Sequence, residues 1–239
     1  MAVGLLLAAT SATGTQRQSA ERFEATIGLD YLLYVPETYS AAGDPVPLVL
    51  FLHGAGERGD DVARVAAHGP PKMIAAGTNF PAIVVSPQAP EGDWWNLRAN
   101  DLLALLDDIA RRYNVDADRV YVTGLSMGGY GAWALLQAAP ERFAAAVPIC
   151  GGGDARRAGR SDALREVPIR VFHGDADRVV PVQESIDMVE AIREAGGRNV
   201  ELTVYPGVGH DSWTQTYEDP QLWEWMWSQR RGEDTPSLR

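Results

Sequence analysis

The chain has 239 residues, a formal net charge of −11, 46% hydrophobic residues and one cysteine. That composition suits a globular protein with an ordinary core and excludes a largely disordered one. The acidic balance argues against nucleic acid or an anionic membrane as a partner. No stretch reaches the roughly 20 apolar residues of a spanning helix, and the lone Cys150 excludes an intrachain disulfide.

The chain opens on Ala2-Val3-Gly4-Leu5-Leu6-Leu7-Ala8-Ala9, apolar like the middle of a signal peptide but with no basic residue before it. Residues 1–14 are therefore expected to be a signal-peptide remnant or an N-terminal extension, which leaves cytoplasmic and secreted locations both open. Residues 15–230 read as one α/β domain and 231–239 as a polar tail.

Within the domain, strand-like runs are predicted at 31–35, 48–52, 82–85, 120–123, 145–149, 169–172 and 200–204, with helical patterns at 101–113, 129–139 and 183–195. Such alternation predicts a mainly parallel central sheet covered by helices on both faces. Asp219 and Pro220 read as the N-cap and first residue of a terminal helix, whose Trp223 and Trp227 share a core-facing stripe. Only a short segment separates Cys150 from Pro168, so no large cap domain is expected there and the site should be open.

In a sheet of this kind, function gathers beyond the carboxyl ends of the strands. Leu48 to Leu52 runs into His53-Gly54-Ala55-Gly56, where a glycine-flanked backbone is placed to aim the Ala55 N–H into a site. Arg119 to Thr123 runs into Gly124-Leu125-Ser126-Met127-Gly128, a G-x-S-x-G sequence between a strand and a helix. A serine on that turn is a nucleophile elbow, and the Met127 N–H that follows it is a natural oxyanion donor.

Serine needs a base, and the base needs an orienting acid. With the order Ser, acid, His, His210 in its Gly/Pro loop is the better base, because His173 would force the acid into the segment around Asp154, Asp162 or Glu166. The acid comes from His173-Gly174-Asp175-Ala176-Asp177, where spacing alone leaves Asp175 and Asp177 both open, and Pro181 is expected to open the next helix.

Trp94 and Trp95, in a polar loop, are candidates for lining a substrate pocket or for anchoring the helix that follows. Trp213 falls close enough after His210 to pack beside it. Glu57 and Arg58 read as braces of their loop, and Cys150 as a small buried hydrophobe. No metal site is expected, since His53 and His68 lack partners at ligand spacing, and no phosphate loop or dinucleotide fingerprint calls for a cofactor.

Phe51-Leu52-His53-Gly54-Ala55-Gly56-Glu57-Arg58-Gly59, Gly124-Leu125-Ser126-Met127-Gly128-Gly129-Tyr130-Gly131, Pro148-Ile149-Cys150-Gly151-Gly152-Gly153, His173-Gly174-Asp175-Ala176-Asp177 and Gly209-His210 follow one another in order. Together they resemble the α/β-hydrolase superfamily, and within it the compact branch of carboxylesterases, phospholipases and prolyl-oligopeptidase-like peptidases. The resemblance implies an α/β-hydrolase fold and a cofactor-independent serine carboxylesterase acting on small-molecule or polymeric esters. It makes Ser126 the nucleophile, His210 the base and Asp177, the second acid of H-G-D-x-D, the orienting group. Ala55 and Met127 are then the oxyanion donors. A serine peptidase and a non-catalytic binding protein on a hydrolase scaffold are the alternatives. Neither the acyl group, the alcohol nor the oligomeric state follows from the sequence.

Overall fold

The computed structural model describes residues 18–24 and 28–232. The apolar run before residue 18 and the tail after residue 232 lie outside the described residues.

Eight strands form one sheet: β1 (Gln18–Phe23), β2 (Leu29–Tyr34), β3 (Val46–Leu52), β4 (Ile83–Pro87), β5 (Val115–Leu125), β6 (Ala145–Ile149), β7 (Ile169–Gly174) and β8 (Val200–Tyr205). Their spatial order is β1-β2-β4-β3-β5-β6-β7-β8. Antiparallel pairing is confined to β1 with β2 and β2 with β4, and every other neighbour is parallel. This is the α/β-hydrolase fold. The seven expected strands are all present, and β1 was not anticipated. Its Gln18-Ser19-Ala20-Glu21-Arg22-Phe23 is half-exposed at the sheet edge and carries no apolar run.

The helices are α1 (Gly69–Ala75), α2 (Ala99–Arg112), α3 (Met127–Ala138), α4 (Ala155–Ala158), α5 (Asp162–Arg165), α6 (Gln183–Glu194), α7 (Trp213–Glu218) and α8 (Pro220–Ser228). Asp219 caps α8, accepting from the Gln221 N–H, with Pro220 in the first turn. Pro181 does not open α6, which begins at Gln183; the proline lies in the preceding turn, its carbonyl accepting from the Glu184 N–H. The chain between Gly151 and Val167 holds only α4 and α5, one turn each, so no cap covers the sheet there.

Strand periodicity splits the core in two. On β3, Leu48, Leu50 and Leu52 join Leu102, Leu105 and Trp133 on one face, while Val49 and Phe51 join Tyr121, Trp223 and Met226 on the other. Both faces of β3 are fully buried, which is why its sequence is a continuous apolar run rather than an alternation. Helix α2 contributes Leu102, Leu105, Leu106 and Ile109, the i, i+3, i+4, i+7 stripe of an amphipathic helix. With both faces covered, the parallel strands deliver their loops to a single edge. No helix among the described residues is long and apolar enough to cross a membrane.

Candidate active site

The nucleophile turn is built by the backbone. Ser126 has φ 52° and ψ −116°, a conformation that costs energy in a residue with a Cβ. Its N–H donates to the Ile149 carbonyl at 2.9 Å and its carbonyl accepts from the Tyr130 N–H at 3.1 Å, so the strain is held from both sides. The glycines allow the approach. A Cβ on Gly128 would lie 1.9 Å from the Leu52 carbonyl oxygen, and one on Gly124 would lie 2.4 Å from the Gly128 carbonyl oxygen. Only glycine fits at either place. Helix α3 begins at Met127, whose N–H has no partner within the helix and sits at the positive end of its dipole.

Three side chains from three loops form one hydrogen-bonded line. The His210 Nε2 is 2.9 Å from Ser126 Oγ, and its Nδ1 is 2.7 Å from Asp177 Oδ2. The Asp177 side chain is fully buried, and its Oδ1 accepts from the Val179 and Val180 N–H groups at 2.8 and 3.0 Å. Burial opposes its charge, but the bonds from His210, Val180 and Val179 outweigh that and hold the carboxyl below the usual carboxylate range. Asp175, the other candidate acid, is exposed and accepts from the Gly207 N–H at 2.6 Å, a turn-bracing role. Trp213 packs edge-on against the base, ring centroids 5.2 Å apart at 89°.

The loop after β3 is fixed by His53, whose part the sequence did not disclose. The ring is fully buried and its Nε2 accepts from the Ala89 N–H at 3.0 Å, so the proton resides on Nδ1 and is donated to the Gly54 carbonyl at 2.6 Å. Burial pushes this imidazole down to about 4, which keeps it neutral. Because the Gly54–Ala55 peptide is trans, pinning its carbonyl also pins the Ala55 N–H in the opposite direction. Arg58 braces the same loop: its Nε donates to the Ala55 carbonyl at 3.0 Å and its guanidinium lies over Trp94 at 5.5 Å. Glu57 stands 3.8 Å from His68 and 4.0 Å from His53, its carboxyl raised by burial against the opposing pull of His68.

The two tryptophans part company. Trp94 is 44% exposed and remains available to a ligand. Trp95 is corrected from a substrate-lining residue to a core residue. It is fully buried, donates from Nε1 to the His53 carbonyl at 3.1 Å and packs on Gly131 of α3, where a Cβ would come within 2.5 Å of it. It faces inward because the loop needs an apolar underside.

An open cavity of about 590 Å³ runs beside α3, lined by Asn96, Leu97, Asn100, Tyr130, Gln137 and Arg157. It extends to Tyr130, one helical turn beyond Ser126; Ser126, Asp177 and His210 do not line it. Cys150 is buried at φ 41°, with its thiol pushed up to about 12 by burial, so it is a neutral filler rather than a nucleophile. Its sulfur and one donor each from Asp177 and His210 lie within 4.8 Å of one another. The acid and base are already spent on each other and the thiol is held neutral, so the set does not suit a metal ion.

The geometry finds its counterpart in known proteins. Residues 93–223 match the dienelactone hydrolase family. The chain belongs to that family. This family member is 27% identical over 191 residues to the "Probable feruloyl esterase C" of Aspergillus oryzae, covering 78% of the chain and 69% of the relative. It also matches the crystal structure of a thermostable esterase at 37% identity and TM-score 0.74, over 90% of the chain; the chain spans 64% of that structure. The Pyrococcus horikoshii acylaminoacyl peptidase matches at TM-score 0.67 but 15% identity, over 91% of the chain and 42% of the peptidase, a likeness of fold alone. Family, fold and esterase relatives together make this family member a carboxylic ester hydrolase.

Proposed function

We propose that hydrolysis proceeds by a serine acyl-enzyme route. The observation that carries it is the line from Ser126 Oγ through His210 to Asp177, at 2.9 and 2.7 Å. In this reading Ser126 Oγ attacks the ester carbonyl as His210 Nε2 takes its proton, and Asp177 stabilises the imidazolium. The N–H groups of Met127 and Ala55 receive the oxyanion. The tetrahedral adduct collapses as His210 returns the proton to the departing alcohol oxygen. Water, activated by the same histidine, then releases the acid and restores Ser126. Residues 15–230 are read as the one catalytic domain that carries these steps.

For the substrate we infer a bulky, aromatic acyl ester, small or polymer-borne. Three features support this: the feruloyl esterase named among the relatives, the exposed Trp94 braced by Arg58 beside the Ala55 loop, and the uncapped cavity that reaches Tyr130.

The test is hydrolysis of methyl ferulate and of p-nitrophenyl acetate to decanoate by wild type and Ser126→Ala. Wild type is expected to turn over the esters, with Ser126→Ala slower by about 10³-fold or more at an unchanged circular dichroism spectrum. Comparable rates in the two proteins would refute the nucleophile. A preference for short aliphatic esters over ferulate would refute the substrate class.

A further inference from the structure

A second histidine touches the triad acid. His173, near the end of β7, is fully buried. Its Nε2 lies 3.0 Å from the Val180 carbonyl oxygen and 3.2 Å from Asp177 Oδ2. Both neighbours are acceptors only, a carbonyl and an ionised carboxylate, so Nε2 must carry a proton. On the other side of the ring, Nδ1 lies 2.8 Å from Ser185 Oγ, which is also 2.9 Å from the Gly151 carbonyl oxygen. The one hydroxyl proton of Ser185 goes either to Nδ1, leaving a neutral ring, or to Gly151, leaving Nδ1 to donate and the ring charged. In both placements Nε2–H remains a donor.

We propose that His173 is a positioning residue for the esterase reaction. Its Nε2–H donates to the Val180 carbonyl and stands at ion-pair distance from Asp177 Oδ2, the oxygen bonded to His210; so placed, it fixes the carboxylate and limits how tightly that carboxylate holds the proton His210 receives. The inference rests on the serine esterase reading above.

The consequence is a division of labour between two imidazoles on one oxygen. His210 moves the proton from Ser126 Oγ to the leaving alcohol, while His173 transfers none and stays a donor throughout. A carboxylate with one donor fewer attracts the His210 proton more strongly. The base would then be more often charged in the resting enzyme and slower to release its proton to the leaving group.

The ring also joins three elements, because Ser185 belongs to α6 and Gly151 follows β6. Cys150 just after β6 and Tyr130 on α3 are further titratable groups that feel the acid; Glu184 of α6 acts on the tyrosine and Asp211 on the thiol. The tyrosine and thiol are both raised chiefly by burial and so stay neutral. Among the described residues, His210 and His173 are the imidazoles placed within ion-pair distance of Asp177.

Two readouts test this. The first uses the wild-type chain: ¹⁵N-resolved NMR of the histidine rings at neutral pH is expected to show a proton on Nε2 of His173. A bare Nε2 would overturn the proposal whatever the enzyme's activity. The second is the pH profile of kcat/KM for His173→Gln and His173→Leu. Gln keeps an N–H near the place of Nε2 and is expected to stay within about three-fold of wild type with the same acid limb.

Leu loses the donor. It is expected to fall by about ten-fold, the lower end of what one hydrogen bond to a charged group is worth, with its acid limb displaced to higher pH. A Leu variant of native melting temperature whose limb does not move would overturn the proposal, as would Gln and Leu variants displaced equally. An active Ser126→Ala enzyme would strike the esterase reading alone, because the ring tautomer is read without turnover.

Discussion

Ser126 and its two partners, His210 and Asp177, are held by different means, although they meet within one hydrogen-bonded line. Ser126 is placed by backbone: a strained φ of 52°, carbonyl and N–H groups tied on both sides, and glycines where no Cβ fits. Asp177 and His210 are placed by hydrogen bonds to their side chains, from the Val179 and Val180 N–H groups and between each other, with the His173 ring at ion-pair distance from the carboxylate. Backbone scaffolding tolerates almost no change of shape, while side-chain scaffolding tolerates shape and is sensitive to the pattern of donors and acceptors. The same contrast separates the two buried histidines. His53 holds a peptide plane in place as an acceptor from Ala89 and donor to Gly54, whereas the His173 ring stands 3.2 Å from the Asp177 carboxylate.

The contrast can be broken most directly at Asp177. Asp177→Asn changes the donor pattern while preserving shape: kcat on an ester should fall by about 10⁴-fold, since the amide favours the wrong tautomer of His210, and the melting temperature should drop because the buried amide N–H₂ meets only donors. A loss below ten-fold would mean that the acid is dispensable.

Gly128→Ala reverses the logic, adding one methyl group against the Leu52 carbonyl oxygen. It should cost about 3 kcal/mol, read by denaturant unfolding, or prevent folding. Gly209→Ala, next to the base, meets nothing within 4 Å and should be close to neutral in stability. Equal costs at the two sites would end the distinction.

The smallest effect sharpens the account of the Ala55 loop. Folded His53 has its protonation pushed down to about 4, against about 6.5 in an unfolded chain. Between those values the unfolded chain takes up a proton that the folded chain refuses. Stability therefore falls as pH drops through that window, by on the order of 3 kcal/mol in total. His53→Gln should lower the melting temperature at pH 7 but flatten its decline from pH 6.5 to 4. An identical slope in the variant would show that His53 is not the titrating group.

Much of this was legible in the sequence, because several signals are local. The seven expected strands carry apolar runs, α2 carries a helical stripe, and the G-x-S-x-G turn announces itself through glycines whose spacing the backbone demands. The separation of Asp177 from Asp175 needed the resemblance to related hydrolases before the structure showed one bonded to His210 and the other to Gly207. β1 escaped because a mostly polar edge strand looks like loop. The Trp94–Trp95 pair shows the limit well. Two identical neighbours in a polar loop face opposite ways, and only the packing surface of α3 decides which is buried.

The amino-acid sequence by itself determined the succession of the seven apolar strands and the longer helices, the strained serine and the chemical types available at the strand ends, since these follow from periodicity, glycine placement and turn chemistry within a few residues. Only the tertiary structure decided which atoms each histidine ring meets. Those atoms are brought within hydrogen-bond reach from distant parts of the chain: Ala89 for His53, Ser185 and Val180 for His173, Ser126 and Asp177 for His210. A hydrogen-bond partner leaves no trace in the local sequence, because its distance along the chain carries no periodicity.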